Sequence, residues 1–293
     1  MTILVGLTPG ETGTEALDLG ATLARSLDEP IVVAVVTPTP WPPNPYRPDT
    51  EYLALQQSAG RLAIEAARSR LDGLRVDYLV QEARSVSSGL IDVAERTGAN
   101  WLVLGSASSG MLGHVTLSGI AERVMHSTAI PVAIAPRGYA GPPGGRVARV
   151  SVGFGRADRD SDLLTTAVGV SVRVGAGLRV ACFAVRPVVQ TGSVEEDAEQ
   201  LVVGAWTSHL EADIRRALES VEGTVAVKAE TVVGQGGSWR EALDDVEWAP
   251  GDLLVIGASS TPLSRFFLGS HGAKLVRNSS VAVVLVPRLL LAG

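Results

Sequence analysis

The stretch between residues 105 and 119 contains the residue types best suited to hold an anion. Glycine and serine let backbone N–H groups approach a phosphate closely, and a helix that begins just after them adds the positive end of its dipole. The small residues that would do this are Gly105, Ser106, Ser108, Gly110, Gly113, Ser118 and Gly119. The same composition is typical of a surface loop that ends in a helix N-cap, so both interpretations stay open here.

A second stretch of the same kind begins at Gly257, and its small residues are Gly257, Ser259, Gly269 and Ser270. It also contains Pro262, which has no N–H to donate, and the bulky pair Phe266 and Phe267. We therefore expect the first stretch to be the better anion site.

Residues that would support catalysis or metal binding are scattered. The four histidines, His114, His126, His209 and His271, are isolated, and no Gly-x4-Gly-Lys-Ser/Thr loop is present. His114 lies in the first glycine stretch, where it contacts either phosphate or solvent. The single cysteine, Cys182, lies in an apolar run and is expected to be a buried, unreactive thiol. The sequence thus predicts a protein that is not an enzyme and has no metal site.

Composition and charge exclude two classes of partner. The net charge of −6 and the pI near 5.3 leave no basic surface for nucleic acid. The mean hydropathy of +0.24 comes from short apolar runs, none near the roughly 18 residues of a membrane-spanning helix. Pro9-Gly10 interrupt the N-terminus before a secretion signal can form. We expect a cytoplasmic protein that binds neither nucleic acid nor membrane.

Short apolar runs alternate with helical patterns along the chain, which predicts an α/β fold. The strands predicted in the first half are Ile3–Leu7, Ile31–Val36, Val76–Val80, Trp101–Leu104 and Val132–Ala135. Those predicted in the second half are Val150–Phe154, Leu178–Val185, Val225–Val232, Leu253–Ile256 and Val281–Val286. The helices predicted between them include Thr50–Leu71, Ser88–Arg96, Val194–Leu218 and Trp239–Val246. The first helix follows a capping box, Thr12-x-x-Glu15, and its counterpart begins near Asp160.

The two halves of the chain repeat one another. Four residues at one helical spacing, Leu117, Ala121, Val124 and Met125, are matched 151 residues later by Leu268, Gly272, Leu275 and Val276. At the same offset, residues 126–137 align with residues 277–288. A glycine- and proline-rich stretch separates the halves. The sequence therefore predicts a domain at residues 1–138, a linker at 139–146 and a second domain at 147–293. The stretch Pro38–Pro48 is expected to be a stiff surface loop, because proline fits neither a helix nor an inner strand.

Five strands joined by helices predict one doubly wound parallel sheet in each half. In such sheets a ligand binds beyond the carboxyl ends of the strands, where the strand order reverses. The turns after the first and fourth strands meet there. We therefore add Thr8, after the first strand, and Val36, at the end of the second, to the candidate binding residues.

The order of these features resembles that of the universal stress protein family. The resemblance rests on a strand that ends in Val-Leu-Gly-Ser at Ser106, the glycine-rich stretch, the helix start and the closing strand between Pro131 and Pro136. It covers both halves, so the chain resembles a tandem member. The resemblance implies a five-stranded sheet of order 3-2-1-4-5 in each half. It also implies that the two closing strands pair inside one chain as a pseudo-dimer.

Nucleotide-binding members of that family carry Gly-x2-Gly-x9-Gly-Ser/Thr after the fourth strand and an aspartate after the first. Here the loop positions of the first half hold Gly105, Ser108, Ser118 and Gly119, and the aspartate positions hold Thr8 and Gly155. Asp158 or Asp160 is either a replacement for the second aspartate or a helix N-cap.

Two functional hypotheses follow from the resemblance and its departures. The first is a non-catalytic stress-response or regulatory protein that binds an adenine nucleotide of the ATP type, with Mg²⁺, in the crevice beyond strands 1 and 4. The alternative is a scaffold that binds protein partners without nucleotide. The identity of the partner, and whether the tandem chain forms homodimers, stay open.

Overall fold

The computed structural model describes residues 1–9, 14–39, 50–154, 157–185, 229–257 and 270–287, together with six helical residues between 212 and 219. The strands are β1 (Thr2–Gly6), β2 (Ile31–Pro38), β3 (Val76–Ala83), β4 (Ala99–Gly105), β5 (Val132–Ala135), β6 (Arg149–Gly153), β7 (Gly177–Val185), β8 (Ala229–Gly236), β9 (Asp252–Gly257) and β10 (Ala282–Val286). The helices with defined bounds are α1 (Thr14–Leu27), α2 (Thr50–Arg70), α3 (Val86–Thr97), α4 (Gly119–Ser127), α5 (Ala157–Val174), α6 (Trp239–Asp244) and α7 (Ser270–Asn278).

Within these segments the strands form one ten-stranded sheet, in the order β3-β2-β1-β4-β5-β10-β9-β6-β7-β8. Neighbouring strands inside each half are parallel and follow the predicted order 3-2-1-4-5. The halves join through β5 and β10, which run antiparallel with Ala133 opposite Val284. The predicted fold and the pairing of the two closing strands inside one chain are confirmed.

The side chains of the strands alternate between two apolar clusters, one on each face of the sheet. Val5 belongs to the cluster covered by α1, α2 and α5, and Leu4 belongs to the cluster covered by α3, α4, α6 and α7. Each cluster contains residues from both halves. The residues of β5 and β10 are all buried, so their pairing removes two sheet edges from solvent. The two halves therefore share a continuous core.

The segment after β5 is held against the first half. The N–H of Gly138 donates to Glu15 Oε1 over 3.0 Å, and the N–H of Val147 donates to Ser26 Oγ over 2.8 Å. Both acceptors belong to α1, so the chain between the halves follows this helix before β6 begins. The predicted domain and linker boundaries stay predictions.

The structure corrects several predicted details. The third strand of the second half is Ala229–Gly236, displaced toward the C-terminus from the predicted Val225–Val232, whose first residues lie outside the described segments. Pro38 is the last residue of β2, an inner strand, and not the start of a loop. Leu117 lies before α4 rather than on its apolar face. Residues 10–13 and 40–49, with the predicted capping residue and most of the proline-rich loop, lie outside the described residues.

Candidate functional site

Four of the predicted residues line one small cavity at the carboxyl edge of the first-half sheet: Thr8, Val36, Gly105 and Ser118. The cavity has a volume of about 50 Å³. Pockets for drug-sized ligands usually measure about 300–1,000 Å³. The cavity therefore has room for only a few water molecules and is too small for a nucleotide.

The rest of the cavity wall is mainly aliphatic and was missed by the sequence reasoning. It is formed by Gly6, Leu7, Ala34, Val86, Leu90, Leu104 and Ile120. A side chain on Gly6 would place its Cβ 2.8 Å from Leu104 Cδ2, so these residues fill the space beneath the crevice. The sequence did indicate one of these wall residues, because Leu104 is the last apolar residue of the fourth predicted strand and therefore lies at the carboxyl edge of the sheet.

Ser106 turns its hydroxyl toward the protein. Its Oγ donates to the carbonyl oxygen of Ala135 over 2.8 Å and accepts from the N–H of Thr116 over 3.1 Å. Its own N–H donates to the same carbonyl over 3.1 Å. Ser106 thus fastens the glycine loop (residues 105–118) to the end of β5.

Six further N–H groups of the glycine loop donate to protein acceptors. The donors in question are Ala107, Gly110, Gly113, His114, Val115 and Thr116. Gly113 donates to the carbonyl of Arg137 over 2.8 Å, and Arg137 in turn donates through Nη1 to the carbonyl of Gly110 over 2.7 Å. These groups are therefore engaged within the protein and do not form an open phosphate cradle.

The glycine loop also reaches the second half of the chain. The N–H of Val115 donates to the carbonyl of Ser279 at the end of α7 over 3.0 Å. The Val115 side chain is fully buried in the apolar cluster that includes Leu275 and Val276. His114 Nε2 lies 3.3 Å from Arg240 Nη1 of α6. The two sequence interpretations of His114, a phosphate contact or a solvated side chain, did not include this contact between the halves.

The predicted site residues Gly110, Gly113, Gly119 and Ser108 differ in what the structure requires of them. A Cβ on Gly110 would lie 2.5 Å from Thr116 Oγ1, and Gly113 has a φ of +78°, so both are required by the shape of the loop. Gly119 has no such neighbour within 4 Å. Ser108 is exposed and makes no hydrogen bond among the described residues. Only Gly105 and Ser118 of the predicted loop residues border the cavity.

The N-terminus of α4 points at the cavity and keeps two donors. Ser118 is the N-cap, and its Oγ accepts from the N–H of Ala121 over 3.1 Å. The N–H groups of Gly119 and Ile120 have no acceptor among the described residues. The interpretation of this segment as a helix N-cap is correct, and it leaves a small patch of positive dipole beside the crevice.

The second-half crevice is described in part. Gly257 ends β9 and Ser270 begins α7, whereas Ser259 and Gly269 lie outside the described residues. Asp158 and Asp160 lie inside α5, which begins at Ala157, so the interpretation of one of them as an N-cap was wrong.

Two positions that line the first-half cavity, Val86 and Ile120, correspond to aromatic residues in the second half. Trp239 begins α6 as Val86 begins α3, and His271 is the second residue of α7 as Ile120 is of α4. The rings of Trp239 and His271 lie 5.3 Å apart between centroids. The Lys274 Nζ lies 5.5 Å from the centre of the Trp239 ring. At these two positions the second half therefore has rings where the first half has aliphatic side chains, and the offset of 151 residues relates Ile120 to His271 in the sequence.

Two doubly wound five-stranded halves, joined into one ten-stranded sheet, define a tandem α/β protein. The model of the universal stress protein family matches residues 1–136 and 149–287. The chain is 37% identical over 296 residues to a universal stress protein of Mycobacterium bovis and equally to one of Mycobacterium tuberculosis, with 98% of this chain and 100% of each relative covered. The chain therefore belongs to the universal stress protein family and contains its domain twice.

The architecture is similar to that of a solved universal stress protein. The crystal structure of such a protein from Archaeoglobus fulgidus superposes with a TM-score of 0.63 and covers 98% of both chains. The two sequences are 14% identical, so the likeness concerns the fold alone. Among the described residues, no helix combines the length and the apolar character needed to cross a membrane.

Proposed function

We propose that this chain is a non-catalytic regulatory protein of its family that acts through protein contacts and holds no nucleotide in the first-half crevice. One observation carries the proposal. Seven N–H groups of the glycine loop, all between Ser106 and Thr116, are bonded to Ala135, Arg137, Ser279 and the loop itself and so do not face a phosphate. The loop therefore serves as a clasp between the two halves.

Two further features support this proposal. The cavity of about 50 Å³ would have to enlarge severalfold to admit a nucleotide. Opening it by moving the loop would break hydrogen bonds that each contribute about 1 kcal/mol. Thr8 also stands where nucleotide-binding relatives are expected to have a carboxylate.

The exposed tip of the glycine loop is the surface that we assign to protein contacts. Met111 is 55% exposed and Leu112 is 70% exposed, although both are apolar. Cross-linking mass spectrometry in cells tests this assignment. A partner whose cross-links weaken in the Leu112→Ser variant supports it, and cross-links that are unchanged in that variant contradict it.

Binding of an adenine nucleotide is the second candidate function, and a specific observation favours it. Gly105 borders the cavity and has open space where a Cβ would lie, with the N–H of Ala16 at 4.0 Å as its nearest neighbour. The unbonded N–H groups of Gly119 and Ile120 lie at the same place, and donors at a helix N-terminus suit a phosphate. Among the described residues no cluster of acidic, histidine or cysteine side chains could hold Mg²⁺, so the phosphates would supply its ligands.

Calorimetry and thermal unfolding with ATP and ADP, with and without Mg²⁺, distinguish the two functions. The proposal expects no heat and no change in Tm at millimolar nucleotide. A bound ligand at about 100 times its Kd would stabilise the protein by about 2.7 kcal/mol, which is several degrees in Tm. Binding that is lost in Gly105→Val but kept in the control Gly169→Ala, on the exposed side of α5, would overturn the proposal and establish the second candidate.

A further inference from the structure

A larger cavity lies where the segment between the halves meets the second half. It has a volume of about 290 Å³ and is bounded by Tyr139–Gly141, by Trp248–Asp252 at the start of β9 and by Ser280–Val281 just before β10. This volume exceeds the roughly 150 Å³ of a cavity that binds benzene and approaches the lower limit of about 300 Å³ for pockets that bind drug-sized ligands. A molecule with one or two rings is therefore the largest that fits.

We call this cavity, bounded by residues 139–141, 248–252 and 280–281, the seam cavity. The side chain of Trp248, which forms one of its walls, is held by contacts within the protein. The indole Nε1 of Trp248 donates to the carbonyl of Leu243 over 2.8 Å. The guanidinium carbon of Arg179 lies 4.7 Å from the centre of the same ring. Arg179 is itself 1% exposed and is anchored by Ser151 Oγ at 3.0 Å. A ligand that stacks on Trp248 therefore loses little free energy to ordering this side chain.

The seam cavity offers no uncompensated charge. Asp252 is the charged residue among those that line it, and its carboxylate accepts from Arg149 Nε and Nη2 at 3.1 and 2.8 Å and from Arg179 Nη2 at 3.2 Å. It accepts from the N–H of Ala249 as well, at 3.0 Å. Both guanidinium groups are engaged with this carboxylate, so neither is free to hold an anion.

The remaining polar groups of the wall are weak and neutral. The hydroxyl of Ser280 is exposed and has no partner among the described residues. The Tyr139 phenol is neutral at physiological pH, because its ordinary pKa is 10.0 and burial raises it further. The wall is otherwise formed by rings and small apolar side chains, namely Trp248, Pro250, Ala140, Ala249 and Val281.

We propose that the seam cavity is a binding site for a small, uncharged molecule with a planar ring and one or two hydrogen-bonding groups. The ring lies against Trp248, where aromatic surfaces attract one another. The polar groups of the ligand bond to Ser280 and to backbone groups of the wall. This site is separate from the first-half crevice, and its existence does not depend on the function proposed for that crevice.

NMR of the full chain with labelled tryptophan tests the proposal. The chain has five tryptophans, and the Trp248 indole signal is identified by its loss in Trp248→Phe. Benzamide serves as the uncharged probe, and benzoate, which has nearly the same shape, serves as the anionic one. We expect benzamide to shift the Trp248 signal with a Kd of about 1 mM and benzoate to bind at least about tenfold more weakly.

Two blocking variants and one control complete the test. Ala140→Trp and Ser280→Trp place a large side chain at exposed positions that line the cavity and are expected to abolish the benzamide shift. Val172→Trp, at a position on α5 that is 49% exposed, is expected to leave it unchanged. The proposal is overturned if benzamide causes no shift up to about 10 mM, if both blocking variants still bind it, or if benzoate binds equally well.

Discussion

Arg179 and Asp252 form an ion pair in the second half in which each side chain is only 1% exposed, with 3.2 Å between Arg179 Nη2 and Asp252 Oδ2. Asp252 also binds Arg149, which forms a second ion pair with the more exposed Glu230 at the amino edge of the sheet. Burial lowers the pKa of Arg179, and the neighbouring Arg149 lowers it further. Asp252 is therefore the carboxylate that links the two arginines.

Removal of that carboxylate should be costly. We expect Asp252→Ala to lower the free energy of unfolding by about 3–5 kcal/mol, because the buried Arg179 loses the carboxylate that compensates its charge, whereas Arg149 keeps its ion pair with Glu230. The matched control is Glu65→Ala, which removes an exposed pair with Arg68 and should cost about 0.5 kcal/mol or less. Urea unfolding measures both. A loss of less than 1 kcal/mol in Asp252→Ala would show that the buried cluster contributes little.

The pH dependence of stability should contain a contribution from Asp18. Burial raises the pKa of this carboxyl above its ordinary value of 3.8, although Arg70, which binds both carboxylate oxygens, acts in the opposite direction. Between the unfolded and the folded pKa, the native state holds the proton more tightly than the unfolded state. The free energy of unfolding that Asp18 contributes therefore falls as the pH rises through this window.

The Asp18→Asn variant isolates that contribution. We expect the difference in unfolding free energy, wild type minus variant, to fall as the pH rises from below 3.8 toward neutrality. Urea titrations at a series of pH values measure it. A difference that rises with pH would mean that the ion pair with Arg70 outweighs the cost of burying the carboxylate.

The contact between the glycine loop and the second half should contribute to stability. We expect Val115→Ala to lower the free energy of unfolding by about 1.5–3 kcal/mol, because the lost methyl groups come from a fully buried side chain. Hydrogen exchange should also accelerate near Ser279, whose carbonyl accepts from Val115. Val172→Ala, at an exposed position, is the control and should change stability by about 0.5 kcal/mol or less. Equal effects in the two variants would argue against a clasp between the halves.

The hydroxyl of Ser106 should order the glycine loop. We expect Ser106→Ala to lower the free energy of unfolding by about 1–2 kcal/mol and to increase amide exchange at Thr116, whose N–H loses its acceptor. Ser108→Ala is the matched control two residues away, because Ser108 is exposed, and it should leave both measurements unchanged. Unchanged exchange at Thr116 in Ser106→Ala would contradict this role.

Most of the fold followed from the sequence, because buried parallel strands are continuous apolar runs. The third strand of the second half was misplaced for an identifiable reason. Its last residues include Gly234 and Gly236, which in a sequence indicate a turn. In the structure a Cβ on Gly234 would lie 2.0 Å from the carbonyl oxygen of Ala242, so glycine lets α6 pack directly on this strand. That requirement depends on tertiary packing, which the local pattern does not contain.

The candidate site was predicted in part. The convergence of Thr8, Val36, Gly105 and Ser118 follows from the topology of a doubly wound sheet, and the structure places them together. The direction of the N–H groups in the glycine loop could not be predicted in this way. Their acceptors include Ser279, which is distant in the sequence and reaches the loop only because β5 pairs with β10.

The antiparallel pairing of β5 with β10 turns one half upside down relative to the other. The first-half crevice therefore lies on one rim of the long sheet, and the carboxyl ends of the second-half strands lie on the opposite rim. The cavity beside Trp248 shares its rim with the first-half crevice alone, because β9 and β10 begin where β4 and β5 end. Duplication of a domain has thus produced a molecule with two unlike sides, and molecules that approach from opposite directions meet different surfaces.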